Sequence, residues 1–414
     1  MTKRLNLALG AMAICLIEAV FSTSAALSQE PFTAPTPAPV SSADSPLSSF
    51  LGPIDFSAAP GTRTHWVSGD FLFGFVQGSR HPALVTASPP GTIKPLAGVL
   101  GADGTETLFG GDALNAGLRP GFRLQAGWWF GGGSQLGVEA GFLFVGRQST
   151  SFFASSDQIP IIGRPYFDAN AGSQQAVLVG FPGLTAGNVD VQTTSSAFYS
   201  GNIDITENAL EFENHRLIAM VGYRFYGFDE SLNIRQNLTP TDPNVVAGTQ
   251  IVTNDSFATR NTFHGLDMGF RTEHVWGNLS LDLLMKLAIG DVRRKVTIAG
   301  EQVTTVPGVG TTVDAAGVLA LGSNSGTFIS HDWKVMPEVG ATLGWNVRRN
   351  LQVRLGYSFL FLNGVARAGD QVDVIINPNN FPPAVAGGPN RPIFNSFRSD
   401  LWIQSINLGV LWTY

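Results

Sequence analysis

The chain holds a single cysteine among its 414 residues, Cys15. One thiol near the N-terminus excludes a disulfide framework and a thiolate metal site in the remainder. It is not a lipid-bearing cysteine either, because Ile14 precedes it where a small residue is wanted. Charge is also scarce. Charged residues make up 14%, Lys and Arg together number 25, and the net charge is −6, whereas soluble domains carry about a quarter charged residues. No basic patch is interleaved with aromatics, which excludes a nucleic-acid partner. Long apolar runs are missing as well. None reaches the roughly 18–20 residues of a membrane helix, although 44% of the chain is apolar. A chain that is apolar overall but never continuously so is expected to alternate apolar with polar positions. Barrels that cross a membrane with strands do this.

The N-terminus has the parts of an export signal. Lys3 and Arg4 precede an apolar stretch over 5–20, and small residues offer cleavage after Ala26 or Ser28. Residues 1–28 are therefore expected to be a cleavable leader, with Glu18 an unusual interruption. Residues 29–63 are rich in Pro, Ser and Ala, as in Pro35-Thr36-Pro37-Ala38-Pro39. Such a composition buries too little to fold and is expected to be a periplasmic linker. Residues 64–414 are expected to form one all-β domain.

Period-two segments recur from Trp66 onward. Leu279, Leu281, Leu283, Met285, Leu287 and Ile289 share one parity, while Ser280, Asp282 and Lys286 hold the other, with Leu284 breaking the pattern. Equally regular runs cover 122–130, 136–144 and 351–361, and weaker ones lie at 71–76, 191–205, 217–225, 266–270, 335–345 and 406–414. Successive strand side chains point to opposite faces, so each run presents an apolar side. The count is about ten strands, with twelve possible, in an antiparallel up-and-down transmembrane β-barrel. Short turns near 131–134, 207–213, 276–278 and 347–350 alternate with long connections at 78–118, 149–190, 231–255, 299–328 and 363–399. That alternation predicts short periplasmic turns and long extracellular loops. Trp128, Trp129, Trp276, Trp345 and Trp412 gather at the short-turn ends, as an interfacial girdle requires. Pro337 sits within a strand segment, where a bulge or a strand beginning at the proline is expected.

Parity also sends charges inward. Arg123, Glu139, Arg147, Arg224, Asp267, Arg271, Glu273, Asp282, Lys286, Glu338 and Arg354 are the lumen-facing candidates, since a charge facing lipid at mid-depth costs about 2–4 kcal/mol. They would line a narrow polar conduit, or pair across the lumen and plug it. About eight strands are just filled by side chains, while water-filled channels appear at about sixteen, so ten favours a nearly closed lumen. The six histidines, His65, His81, His215, His264, His274 and His331, show no metal-ligand spacing. No nucleophile elbow or phosphate loop is present, so no catalytic residue, metal or cofactor is expected. A hydrolase built on His331-Asp332 or Asp70 is the minor alternative.

The chain ends Asn407-Leu408-Gly409-Val410-Leu411-Trp412-Thr413-Tyr414. Asn407, Gly409, Trp412 and Tyr414 resemble the outer-membrane insertion signal. That resemblance implies transient partnership with the barrel-assembly machinery and lasting contact with outer-membrane lipid. The blocks Thr107-Leu108-Phe109-Gly110-Gly111-Asp112, Arg119-Pro120-Gly121-Phe122-Arg123, Arg164-Pro165-Tyr166-Phe167-Asp168, Pro337-Glu338-Val339-Gly340 and Ala368-Gly369-Asp370-Gln371-Val372-Asp373 resemble the beta barrel porin-7 family across nearly all of 66–414. The resemblance implies an outer-membrane barrel with a porin-like name and supplies no substrate and no functional residues. The expected function is a passive, narrow, charge-lined conduit for small polar solutes. A non-conducting barrel that works through its long loops is the alternative.

Overall fold

The computed structural model describes residues 65–130, 135–212 and 214–414. The expected leader, the linker and the turn at 131–134 lie outside them. Ten strands form the wall: β1 (His65–Val76), β2 (Gly117–Trp129), β3 (Leu136–Val145), β4 (Phe198–Phe212), β5 (His215–Pro240), β6 (Gln250–Trp276), β7 (Leu279–Val306), β8 (Gly326–Arg348), β9 (Leu351–Val365) and β10 (Ser399–Thr413). Neighbours pair antiparallel, and two ladders close the ring. β1 pairs β10 from Trp66↔Thr413 to Val76↔Ile403, and β3 reaches β5 through β4. Tyr414 completes the seam, its backbone N–H donating to the His65 carbonyl at 2.9 Å.

Alternating burial gives the wall two faces. On β1, Ser68, Asp70, Leu72 and Val76 are buried inward, while Val67, Phe71, Phe73 and Phe75 are exposed outward. Around the ring the same belt continues through Leu124, Ile203, Leu266, Leu343, Leu355 and Leu408, all exposed. An apolar belt this continuous belongs against lipid, not water. On β7 it runs from Leu279 to Ile289, about 33 Å along the strand and about 25 Å in height at a 40° tilt. Trp128, Trp276, Trp345 and Trp412 are exposed along its lower edge, beside the short turns.

Three sequence expectations change. The loops at 231–255 and 299–328 are shorter than expected, because β5, β6, β7 and β8 run to 26, 27, 28 and 23 residues, whereas a membrane crossing needs about 9–11. Their outer halves stand clear of the lipid, where no apolar face marks the alternation. The segment 191–205 divides as well. Thr185–Ser195 pairs with Gln148–Ser155 and with the outer half of β5, outside the ring, and only Phe198–Phe212 enters the wall. At Pro337 there is neither a bulge nor a strand start. The β7–β8 register passes unbroken through Leu287↔Pro337, and the β8–β9 ladder begins at Glu338. The missing N–H therefore falls at a local edge, where proline is tolerated.

Candidate functional site

The lumen is stacked in layers. In the lower half, inward positions of facing strands bring charges together. Arg224 on β5 donates to Asp267 at 3.1 Å and to Glu338 at 2.6 Å, and Arg123 on β2 meets Glu338 at 2.9 Å. Lys286 on β7 lies 2.5 Å from Asp204 and 2.7 Å from Asp267. Arg123, Glu338, Arg224, Asp267, Lys286 and Asp204 thus form one chain of ion pairs across the barrel. The free space within it is a cavity of about 20 Å³, room for about one water. Asn202 and the serines Ser358 and Ser405 extend the network, and Asn407 of the C-terminal signature bonds into it from Ser405 at 2.6 Å. Removing one member leaves a buried charge without its partner, the costly way to break such a pair.

Below this layer, towards the short turns, the lumen widens to a cavity of about 250 Å³. Arg271 binds Glu139 through both guanidinium nitrogens at 2.9 Å, and Arg216 pairs with Glu273. Asp282 and Arg354 line the same chamber beside Trp66 and Trp129. Ten of the eleven lumen candidates therefore lie inside the wall. Arg147 does not. It follows the end of β3 at Val145 and is exposed on the connection that leaves the barrel. Asp204 was missed, although exposed Ile203 and Ile205 on either side of it mark it as inward.

Above the ion pairs the lumen is apolar. Leu72, Phe198, Phe228, Phe263, Met336 and Leu360 belong to one buried cluster, with the Tyr226 and Phe263 rings stacked at 5.2 Å. The mouth above this is strapped by 364–371. Arg367 binds Glu230 at 2.7 Å and donates to the carbonyls of Gln77 and Gly78. Asn261 exchanges two hydrogen bonds with Ala366, and Arg294 donates to the Gly364 carbonyl at 2.5 Å. His81, from the first long loop, bridges the Ser79 carbonyl and Thr193, and burial lowers its pKa below the ordinary imidazole value.

A second apolar core lies further out among the loops. Asp255 on β6 pins it, taking backbone N–H groups of Val318, Leu319 and Ala320 on one oxygen and Arg164 at 2.6 Å on the other. The long loops are therefore packed into a dome with a buried ion pair of its own.

Nothing in this arrangement assembles a hydrolytic centre from the residues considered for one. His331 and Asp332 occupy opposite faces of β8. His331 pairs outward with Asp291 at 2.8 Å, and Asp332 takes Arg294 at 3.0 Å. Asp70 is buried in the lumen against Gly409. Among the described residues, no group of three or more His, Cys, Asp or Glu is placed to hold a metal ion.

A closed ten-strand barrel with an apolar belt and a charged interior defines a membrane protein of the outer-membrane barrel class. The chain belongs to the family described as putative beta barrel porin-7, whose model matches residues 66–414. That family places it in the outer membrane. No curated protein sequence matches. Among solved structures, the outer membrane protease OmpT of Escherichia coli is similar at 10% identity and a TM-score of 0.42, covering 86% of this chain and 98% of that one. The attachment invasion locus protein Ail of Yersinia pestis is similar at 8% identity and a TM-score of 0.20, covering 85% and 100%. The toluene transporter TodX of P. putida is similar at 8% and 0.20, covering 86% and 90%.

Proposed function

We propose that this protein is a sealed outer-membrane barrel that works through its extracellular dome and does not pass solutes. The observation that carries the reading is the ion-pair layer of Arg123, Arg224, Lys286, Asp204, Asp267 and Glu338, which leaves about 20 Å³ of free space. An aqueous pathway for even a small sugar needs a continuous bore, and two further barriers stand above this one. The apolar cluster around Phe228 and Phe263 gives a permeating ion nothing to replace its hydration, and the Arg367–Glu230 strap covers the mouth. The charges are thus matched to one another and not presented to a solute, which favours the structural, loop-bearing barrel over the narrow conduit.

Recording from planar bilayers tests this directly. The refolded chain is expected to insert without a steady conductance at either polarity of applied voltage. A long-lived ohmic conductance that scales with salt would overturn the sealed reading and restore the conduit.

A further inference from the structure

The charges of the ion-pair layer are matched to one another, but those of the chamber beneath it are matched only in part. Around its 250 Å³, Glu139 pairs with Arg271 and Arg216 with Glu273. Asp282 and Arg354 are left over. Both line the chamber, and neither lies within ion-pair distance of an opposite charge among the described residues. Asp282 stands directly opposite Glu273 in the β6–β7 ladder, where like charges repel. Of the cations around Asp282, Arg354 acts on it most strongly, ahead of Arg271 and Arg216. The two are therefore near one another without touching, on β7 and β9, with Thr342 and Gly344 of β8 between them. Two orphaned atoms accompany them. Arg354 Nε is buried with no acceptor, and Gln352 Oε1, also on the chamber wall, is buried with no donor. Buried polar atoms are costly unless something fills the space before them.

We propose that the chamber is a blind, periplasm-facing binding site for a small zwitterion, a free α-amino acid with an apolar side chain. Its carboxylate accepts from Arg354, and its ammonium donates to Asp282 and to Gln352 Oε1. A ligand of one sign would answer one of these groups and strand the other. A zwitterion answers both and brings no net charge into the lumen, where an unmatched charge is expensive. Val138, Ile218, Val275 and Leu411 give the side chain apolar surface, the usual mixture of a small-molecule site. The other two arginines are already held, Arg271 over the Trp66 ring at 5.9 Å and Arg216 over Trp129 at 5.7 Å. The far end is closed by the ion-pair layer with its 20 Å³ of free space, so the site rests on the sealed lumen for its blindness, though not for its binding.

Isothermal titration of the refolded full chain in non-ionic detergent tests the site, and it reads occupancy whether or not the barrel conducts. The probes are L-leucine, 4-methylpentanoate, which lacks the ammonium, and 3-methylbutylamine, which lacks the carboxylate. Leucine is expected to bind at least about tenfold more tightly than either analogue, the worth of one charge-assisted hydrogen bond. Arg354→Gln and Asp282→Asn are each expected to weaken leucine by about the same factor. Arg354→Lys, which keeps the charge, retains most of the affinity. Lys94→Gln, an exposed loop cation, leaves it unaltered. Absence of leucine binding at millimolar concentration overturns the proposal and makes the chamber a pocket for water alone. Equal affinity for leucine and either analogue overturns it on the unaltered chain, before any variant is folded. Unchanged leucine binding in both Arg354→Gln and Asp282→Asn overturns it too, by placing the ligand elsewhere.

Discussion

The ammonium of Lys286 lies 2.5 Å from the carboxylate of Asp204 on the far side of the lumen, with two strands between theirs around the wall. Both side chains are almost wholly buried, and Lys286 also serves Asp267 at 2.7 Å. Lys286 is thus the cation paired with Asp204, and it shares Asp267 with Arg224. Lys286→Met, similar in length and without charge, is expected to destabilise the barrel by about 3–5 kcal/mol, as breaking a buried pair by removing one partner does. Adding Asp204→Asn should return part of that loss, because the carboxylate stranded by the first change is gone, while Asp267 keeps Arg224. Urea unfolding in phospholipid vesicles measures both, and simple additivity of the two changes would show that the pair is not coupled.

Space for Asp204 comes from its neighbour in the ladder, Gly222. A Cβ on Gly222 would meet the Ile203 carbonyl oxygen and Asp204 Oδ1 far inside contact distance. The first is backbone and cannot swing aside. Gly222→Ala is therefore expected to cost at least about 1–3 kcal/mol, the usual penalty for overfilling a packed interior. The same substitution at Gly277, where a Cβ meets nothing, disturbs no packing and isolates the strain of its φ of +59°. Comparing the unfolding midpoints of the two variants separates crowding of the lumen from strain in a turn.

The part of the fold legible in the sequence is the part with lipid on one side. There the belt residues declare themselves by parity, as Leu279 to Ile289 do. Above the lipid the rule has no force, and Arg235, Gln236 and Asn237 look like a loop although β5 runs through them to Pro240. Parity also misleads where the strand has ended, as at Arg147, and where the lumen is itself apolar. Leu284 breaks the alternation because it fills the lumen opposite Gly340. The strap is invisible for another reason. Glu230 and Arg367 are 137 residues apart, and no local pattern relates one to the other.

The mouth should respond to acid. Burial depresses the pKa of His81 in the folded state, so the imidazole contributes its stability while neutral. That contribution is complete above the unfolded value of 6.5 and is lost as the pH falls through the folded value. Asp370 acts in the opposite sense. Burial raises its pKa above 3.8, so its contribution is present below 3.8 and is lost as the pH rises through its folded value. Between neutral pH and roughly pH 5 the histidine governs, and the amide protection factors over residues 77–116, taken relative to intrinsic exchange at each pH, are expected to fall on acidification. His81→Gln keeps a polar side chain without the titration and should flatten that dependence, whereas an unchanged slope would assign it elsewhere.

The orientation of the wall makes a last demand on Leu408. It is exposed on the outer face of β10, in register with Leu355 on one side and Phe71 on the other, and Trp412 lies four residues nearer the periplasmic rim. Four residues are about 13 Å of strand and about 10 Å of height, which puts Leu408 near mid-depth. Leu408→Lys is therefore expected to cost about 2–4 kcal/mol in vesicles, and Tyr414→Lys at the rim about 0–1. Both residues belong to the final strand and its seam. Slower folding in both variants, with equal stabilities, would point to recognition of the C-terminus during insertion. A stability difference that follows depth, read from urea titrations of each variant, would place Leu408 in the hydrocarbon and Tyr414 at its edge.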